Sequence, residues 1–179
     1  MTVRVGLITV IGLIFLMQRE RAYAQKEHIR HNMELPQEAQ YYSDSCADHW
    51  NVPRELMRAI MYQESGGRAN IVSKINKERS RNGQGLMQLL PSTAAYYGVT
   101  DTFSPGDNAC GGAHFLSDLI KEFGDLREVV AAYYCGQHHI RRKGLKYSNP
   151  AVVAYVKSVR SLYIEELRKE GLYDDVALR

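Results

Sequence analysis

The residue whose position most suggests chemistry is Glu64. Counting back from it in steps of four gives Ile60 and Leu56, so the carboxyl group extends an apolar stripe along one face of a predicted helix. Gly66 and Gly67 follow directly and allow the chain to leave that helix. We therefore expect Glu64 at the end of a core-facing stripe, at the point where the core opens.

A carboxyl group in such a place is partly removed from water. Desolvation disfavours the charged form and raises the pKa, which keeps a carboxylic acid protonated near neutral pH. Glu64 is thus a candidate general acid. The alternative is a solvated carboxylate at a frayed helix end, because glutamate is almost never buried without a reason. Spacing alone does not choose between these two interpretations.

Four blocks of sequence stand in order between about Trp50 and Tyr163. They are Glu64-Ser65, Gly85-Leu86-Met87-Gln88 running into Pro91-Ser92-Thr93-Ala94, Asn108-Ala109-Cys110-Gly111-Gly112 with Phe115-Leu116, and Ala132-Tyr133-Tyr134-Cys135-Gly136. Together they resemble the lytic transglycosylase (SLT, lysozyme-like) family. Its members carry Glu-Ser at a helix end, Gly-Leu-Met-Gln before Pro-x-Thr-Ala, an Asn-Ile-x-x-Gly-x-x-Tyr-Leu helix and Ala-Tyr-Asn-Ala-Gly.

The resemblance implies cleavage of the β-1,4 link between MurNAc and GlcNAc in peptidoglycan. One glutamate, here Glu64, protonates the glycosidic oxygen and then takes the proton of the MurNAc 6-hydroxyl, which closes on C1 to give a 1,6-anhydro end. Intramolecular closure needs no separate nucleophile. The sequence is compatible with this, because Glu78 is the only other acid between Glu64 and Asp101.

Two alternatives remain at this point. A hydrolytic muramidase similar to goose lysozyme would use the same glutamate with water as acceptor. A catalytically silent peptidoglycan-binding component of an envelope-spanning secretion or conjugation machine is the second alternative, against which an intact Glu64 argues. Such an apparatus is also a candidate partner of an active enzyme.

The resemblance also implies which residues contact substrate. They are Ser65, Ser73, Met87, Gln88 and Tyr133, with Met87 packed beneath Gln88 and Tyr133 hydrogen-bonding near the glutamate. The structural alternatives are that Met87 and Tyr133 belong to the core and that Ser73 caps a loop. The chain departs from the family pattern at two places. Tyr134 and Cys135 replace Asn-Ala, and the acid that relatives often carry just before the position of Tyr155 is missing.

The apolar periodicity predicts a mainly α fold. The resemblance makes it a lysozyme-like compact helical domain with a small β element beside the active-site cleft. We expect helices at 36–50, 53–64, 91–97, 108–123, 125–136 and 150–170. We expect a loop with a short hairpin at 66–84, and we interpret His138-His139 as a surface pair in a basic loop rather than as metal ligands.

The N-terminal segment has the pattern of a secretory signal peptide. Val5 to Met17 is apolar apart from Thr9, too short to span a bilayer comfortably, and Ala22-Tyr23-Ala24 supplies a cleavage pattern. An uncleaved amphipathic anchor is the alternative, since Arg19 to Arg21 is charged. We predict a signal peptide at 1–24, a polar segment with the start of the first helix at 25–45, the transglycosylase domain at 46–170 and a tail at 171–179. The predicted location is the periplasm, with no stable membrane span after processing.

Removal of residues 1–24 takes away three arginines and one glutamate, which lowers the formal net charge from +3 to +1. Such a nearly neutral chain gives no argument for nucleic acid as a partner. The spacing of cysteine and histidine indicates no metal site, and the implied reaction needs no cofactor.

Three cysteines remain after processing, at 46, 110 and 135. In an oxidising compartment three cysteines are expected to form one disulfide and leave one free thiol, and three pairings are possible. The family resemblance favours Cys46 with Cys110, because similar exported relatives often tie the region before the glutamate helix to the helix that begins near Asn108.

Overall fold

The computed structural model describes residues 34–73, 82–146 and 149–173. The predicted signal peptide at 1–24, and the tail beyond residue 173, lie outside the described residues. The chain from Leu35 onward forms one compact unit, to which the whole first helix belongs. Its α-helices are α1 Gln37–Trp50, α2 Arg54–Ser65, α3 Pro91–Tyr96, α4 Pro105–Phe123, α5 Leu126–Cys135, α6 Gln137–Lys143 and α7 Pro150–Lys169, with a 3₁₀ turn at Gly144–Lys146.

The predicted mainly α fold is confirmed, and several helices begin at the capping residue that the sequence offers. The side chain of Asp125 accepts a hydrogen bond from the Arg127 backbone N–H at the start of α5. Asn149 does the same for Ala151 at the start of α7. These contacts satisfy backbone donors that have no partner within the helix.

Two helix predictions were wrong. α4 begins at Pro105 rather than Asn108, because Ser104 caps it by accepting a hydrogen bond from Asp107 N–H. Proline at the first helical position fits such a start. The basic loop that we predicted around His138 is helix α6, which is anchored by the buried side chain of Ile140.

The helix packing brings the end of α2 close to α5 and α7. α2 packs against α1 and α7, α5 packs against α7 and α4, and α4 packs against α1. The shared core is apolar and contains the fully buried side chains Leu56, Met57, Ile60, Met61, Leu116, Leu119, Val129 and Val159. Burial of this apolar surface is the main stabilising contribution to the arrangement.

A nearly buried arginine links three of these helices. Arg58 of α2 pairs with Asp44 of α1 at 2.6 Å and with Glu170, just beyond α7, at 2.7 Å. Glu166 of α7 lies 3.5 Å from the same guanidinium. A buried charge is tolerated when it is paired in this way. The pairing fixes the relative position of α1, α2 and α7, and hence the frame that holds Glu64.

The small β element that we predicted is not formed as strands in the described residues. Gln84 instead makes two isolated antiparallel bridges, to Val72 and to Leu89. Residues 74–81, in the middle of the predicted hairpin, lie outside the described part of the chain. None of the helices in the described ranges is long and apolar enough to cross a lipid bilayer.

Candidate active site

Glu64 lies at the end of α2, where this helix meets α7. The residue is half-buried, and its Oε1 accepts a hydrogen bond from the Tyr155 hydroxyl of α7. Ile60 and Leu56 on the same face of α2 are fully buried. Gly66, with φ 60°, then takes the chain out of the helix. Glu64 thus occupies the place in the structure that its apolar stripe predicted.

The environment of Glu64 favours its protonated form. Burial raises its pKa to about 7, and the hydrogen bond from Tyr155 limits the rise. The two effects oppose each other because desolvation penalises the carboxylate, whereas a hydroxyl donor stabilises it. A carboxyl group with a pKa near neutrality can donate a proton in one step and accept one in the next.

The carboxyl group faces a cavity of about 320 Å³. Ser73, Gln88 and Tyr133 also line it, so the structure brings three of the predicted substrate-binding residues to the same space as Glu64. Among the described residues of the cavity wall, Glu64 is the sole carboxyl group. A cleft of this size with few convergent polar groups is typical of a ligand-binding site.

Backbone contacts hold the polar side chains of this wall. The Gln88 side-chain amide donates to the Gly85 carbonyl at 2.8 Å and to the Ile71 carbonyl at 3.2 Å. Ser73 Oγ accepts from the Gly83 N–H at 2.9 Å. Gln88 itself has φ 47°, a left-handed conformation that is uncommon outside glycine and is enriched at functional sites.

A fully buried asparagine fixes the segment that carries Gln88. Asn108 of α4 accepts a hydrogen bond from the Met87 N–H at 2.7 Å. Its amide donates to the carbonyls of Gln84 at 3.0 Å and Thr102 at 2.9 Å. Gly112 lets α4 approach closely, because a Cβ there would lie 2.7 Å from Met87 Cγ. The tight turn at 85–89 is therefore positioned by α4.

Tyr133 joins this turn to α5. Its hydroxyl donates to the Met87 carbonyl at 2.7 Å. Burial, followed by the charge of Glu64, raises the pKa of Tyr133 well above its usual value. The hydroxyl therefore stays neutral, and its proton remains committed to the Met87 carbonyl rather than to Glu64.

The sequence profile of the transglycosylase SLT domain matches residues 41–154. The chain belongs to the transglycosylase SLT family. A transglycosylase of Enterobacteria phage PRD1 is 29% identical over 66% of this chain and 42% of its own length. Membrane-bound lytic murein transglycosylase F of Pseudomonas putida (strain W619) is 32% identical over 75% of this chain and 26% of its own length. The chain thus spans less than half of these relatives.

Solved structures agree with this assignment at the level of the fold. The lytic transglycosylase Slt of Pseudomonas aeruginosa, in an inactive mutant, gives a TM-score of 0.63 at 22% identity, over 76% of this chain and 25% of that chain. The 70 kDa soluble lytic transglycosylase of Escherichia coli gives 0.64 at 20% identity, over 75% and 25%. The predicted lysozyme-like transglycosylase fold is confirmed.

The structure places two of the predicted substrate contacts of this SLT domain outside the cavity wall. Ser65 is buried, and its hydroxyl donates to the Met61 carbonyl and accepts from the Gly67 N–H. It closes the end of α2 and does not reach the cavity. Met87 is fully buried and packs against Gly112, so its side chain belongs to the core. Its contribution to the site is the carbonyl that Tyr133 binds.

Tyr155 is a functional candidate that the sequence did not identify. It follows Glu64 by 91 residues, and only the packing of α7 on α2 brings the two side chains together. Tyr134 was noted only as a departure from the family pattern. Its ring stacks on Tyr155 with centroids 4.4 Å apart, and its exposed part lines the cavity. No local pattern in the sequence identifies either tyrosine as a functional candidate.

The cysteines of the SLT domain are paired as the resemblance implied. Cys46 of α1 forms a disulfide with Cys110 of α4. Cys135, at the end of α5, is a partly buried free thiol in the cavity wall. In the described ranges, no group of three or more histidine, cysteine, aspartate and glutamate side chains is placed to hold a metal ion.

The raised pKa of Glu64 has a consequence for stability. Below pH 4.5 the group is protonated in both the folded and the unfolded chain, so Glu64→Gln and wild type should be about equally stable. As the pH rises from 4.5 to 7, only the unfolded chain loses the proton, and wild type should lose about 3 kcal/mol relative to Glu64→Gln. Above pH 7 the difference should stay constant. Urea midpoints measured across this range test the expectation.

Glu55→Gln, in the first turn of the same helix, is the matched control because Glu55 does not line the cavity that Glu64 faces. Its stability difference from wild type should not follow the profile of the Glu64 variant. A Glu64→Gln difference that stays flat across the same pH range would mean that Glu64 is an ordinary solvated carboxylate.

Proposed function

We propose that this chain is a peptidoglycan lytic transglycosylase that cleaves the MurNAc–GlcNAc β-1,4 link and leaves 1,6-anhydromuramoyl ends. The observation that carries the proposal is Glu64, a carboxyl group with a pKa of about 7 that faces a cavity in which it is the sole carboxyl group among the described lining residues. Membership of the transglycosylase SLT family supports the substrate class. The inactive mutant among the solved relatives, in which glutamine replaces a glutamate, supports a glutamate in the central role.

The reaction needs only one protein group that exchanges a proton. Protonated Glu64 donates to the glycosidic oxygen, the bond from C1 to that oxygen breaks, and the GlcNAc unit leaves with a free 4-hydroxyl. Positive charge develops at C1 beside the new Glu64 carboxylate, which stabilises it. The 6-hydroxyl of the same MurNAc then attacks C1 and transfers its proton to Glu64. The acid is regenerated, and water is not consumed.

The neighbouring groups prepare Glu64 for both steps. Tyr155 donates to Oε1 and so stabilises the carboxylate formed after proton transfer, while burial keeps the acid form populated beforehand. Because Tyr155 occupies Oε1, we assign the proton that is transferred to Oε2. Gln88 and Ser73 line the cavity, which supports a role for both in orienting the sugar. Glu78, the other acid of this region, lies outside the described residues.

The products test the proposal directly. Muropeptides released from purified sacculi should carry anhydro ends, lighter by one water than the products of hydrolysis, and should take up no oxygen from isotopically labelled water. Reducing ends that carry the label would instead identify a hydrolytic muramidase with the same fold and the same glutamate. Absence of any release would favour a peptidoglycan-binding component without catalysis.

The pH dependence of cleavage should follow the ionisation of Glu64. We expect kcat/KM to be nearly constant in mild acid and to fall about tenfold per pH unit once the pH passes the Glu64 pKa of about 7. Tyr155→Phe removes a donor that stabilises the carboxylate, so it should move this descending limb to higher pH. A limb that moves to lower pH in this variant, or that does not move, would exclude Glu64 as the group that titrates.

We also propose that the enzyme acts in the periplasm after removal of residues 1–24, with residues 46–170 as its transglycosylase domain. The proposed substrate supports this location, because murein lies outside the cytoplasmic membrane. We propose a secretion or conjugation apparatus as a partner of the enzyme. Detection of the mature N-terminus by mass spectrometry of periplasmic protein tests the processing.

A further inference from the structure

Tyr134 separates Tyr155 from the cavity that Glu64 faces. The cavity wall formed by the described residues includes Glu64 and Tyr134 but not Tyr155, although Tyr155 donates the hydrogen bond to Glu64. The two tyrosine rings stack with centroids 4.4 Å apart and planes 22° from parallel. Tyr134 is 45% exposed, whereas Tyr155 is 7% exposed. The Tyr134 ring therefore covers Tyr155 on the side of the cavity.

The neighbouring tyrosine of α5 makes a different set of contacts. Tyr133 packs against the Phe115 ring with centroids 5.2 Å apart and donates to the Met87 carbonyl at 2.7 Å. Consecutive positions on a helix lie about 100° apart around its axis, so the two tyrosines leave α5 in different directions. Tyr133 thus contacts the turn at 85–89, and Tyr134 contacts α7 beside the hydrogen bond to Glu64.

The ring stack acts on the residue that supplies this hydrogen bond. Burial, followed by the charge of Glu64, raises the pKa of Tyr155 well above its usual value, so its hydroxyl stays protonated and remains a donor. The direction of the donor depends on the orientation of the Tyr155 ring, and a stacked neighbour favours one orientation. A ring on the cavity side also keeps out water, which would compete with Glu64 as the acceptor.

We propose that Tyr134 is a positioning residue, whose ring holds the Tyr155 hydroxyl on Glu64 and excludes water from that hydrogen bond. Tyr134 acts through Tyr155, and the role requires no contact with the sugar. This inference rests on the proposed function, because the protected hydrogen bond stabilises the Glu64 carboxylate that forms after proton transfer. It assigns a role to a residue at which the chain departs from the family pattern.

The titratable groups that face Glu64 in the described residues come from α5 and α7. α5 contributes Tyr133, Tyr134 and Cys135 to the cavity wall, and α7 contributes Tyr155 through its hydroxyl. The hydrogen bond from Tyr155 lowers the pKa of Glu64 against the larger effect of burial. A weaker hydrogen bond should therefore raise this pKa, whereas water admitted to Glu64 itself should lower it. The direction of the shift separates the two possible roles of the Tyr134 ring.

Tyr134→Ala tests the assignment, because it removes the ring and adds no polar group that could bind Glu64. The pKa of Glu64 is measured by NMR titration of its carboxyl carbon, which is identified by its absence from the spectrum of Glu64→Gln. We expect this pKa to rise in Tyr134→Ala, in the same direction as in Tyr155→Phe and by a smaller amount. In the Tyr155→Phe background, Tyr134→Ala should cause no further shift, because the hydroxyl that the ring holds is already gone.

Steady-state kinetics on soluble glycan strands provide the second measurement. In Tyr134→Ala, kcat should fall about two- to tenfold, the factor that corresponds to loss of one aromatic pair, and KM should not change. Tyr134→Phe keeps the ring and should restore both the pKa of Glu64 and kcat. Tyr41→Ala is the matched control, because Tyr41 is an exposed tyrosine that pairs with Tyr42 and does not line the cavity.

Three results would overturn the assignment. The first is a pKa of Glu64 that falls or stays constant in Tyr134→Ala, and the second is an equal shift in the Tyr155→Phe background. The third is a rise in KM without a loss of kcat, which would make Tyr134 a substrate contact. The NMR titration uses no substrate, so it separates this inference from the proposed function. If Tyr134→Ala raises the pKa of Glu64 but the wild-type protein cleaves no glycan, the proposed function is refuted and the positioning role stands.

Discussion

Glu64→Gln is expected to lose glycan cleavage by about 10³-fold or more while it keeps the fold and the affinity for the strand. The amide is nearly isosteric with the carboxylic acid, and its oxygen can still accept the Tyr155 hydrogen bond. It cannot supply the proton that the leaving oxygen requires. Since the same group also accepts the proton of the 6-hydroxyl, both steps fail together. Release of soluble muropeptides from sacculi, with initial rates compared at equal protein concentration, measures the effect.

The neighbouring acid on the same helix provides the control for this experiment. Glu55 lies on α2 but does not line the cavity that Glu64 faces, so Glu55→Gln should cleave at the wild-type rate. Pull-down of Glu64→Gln with sacculi should show that strand binding is retained. Near-normal release by Glu64→Gln would refute the mechanism, whereas loss of both binding and release would point to a damaged fold.

The sequence predicted the position of Glu64 well because the residues that indicate it are close together in the chain. The stripe that includes Leu56 and Ile60, and the glycine after the helix, lie within a dozen residues and obey one helical period. The raised pKa follows from that placement, since the end of a core-facing stripe is poorly solvated. The identity of a general acid candidate was therefore accessible before any tertiary contact was known.

Two of the predicted substrate contacts lie outside the cavity wall because the motif does not say which side of a segment faces the cavity. Ser65 follows Glu64 in sequence, but the next position on a helix points about a quarter-turn away, and its hydroxyl bonds Met61 and Gly67. Met87 precedes Gln88, yet Met87 is buried in the core, whereas Gln88, with its left-handed backbone, lines the cavity. A motif identifies such a block, but it does not give the direction of each side chain.

Contacts between distant helices explain what the sequence missed. Tyr155 reaches Glu64 because α7 packs on α2, and Tyr134 stacks on Tyr155 because α5 packs on α7. Neither contact can be predicted from the local periodicity of the sequence. α6 was missed for a different reason: it is short and strongly charged, and Ile140 is its only buried residue. A single anchor gives no apolar period to detect.

The disulfide between Cys46 and Cys110 should contribute strongly to the free energy of unfolding, and a thiol reductant can remove it. The two cysteines are separated by 64 residues, and they join α1 to α4, which also pack against each other. In the chain-entropy account, a cross-link restricts the unfolded chain by an amount that grows with the enclosed loop. For a loop of this length the contribution is about 4 kcal/mol. Because the bridge lies on helices that do not carry Glu64, its removal should affect stability more than catalysis.

Reduction of the wild-type protein is therefore expected to lower the free energy of unfolding by about 4 kcal/mol and the Tm by about 10–15 °C. The double variant Cys46→Ala with Cys110→Ala should be destabilised to at least the same extent and should not respond to reductant. Cys135→Ala, which removes only the free thiol, should keep the full response. Urea unfolding with and without dithiothreitol measures all three proteins. A wild-type midpoint that does not change on reduction, or a Cys135→Ala protein that no longer responds, would show that the bridge in solution is not the one that joins α1 to α4.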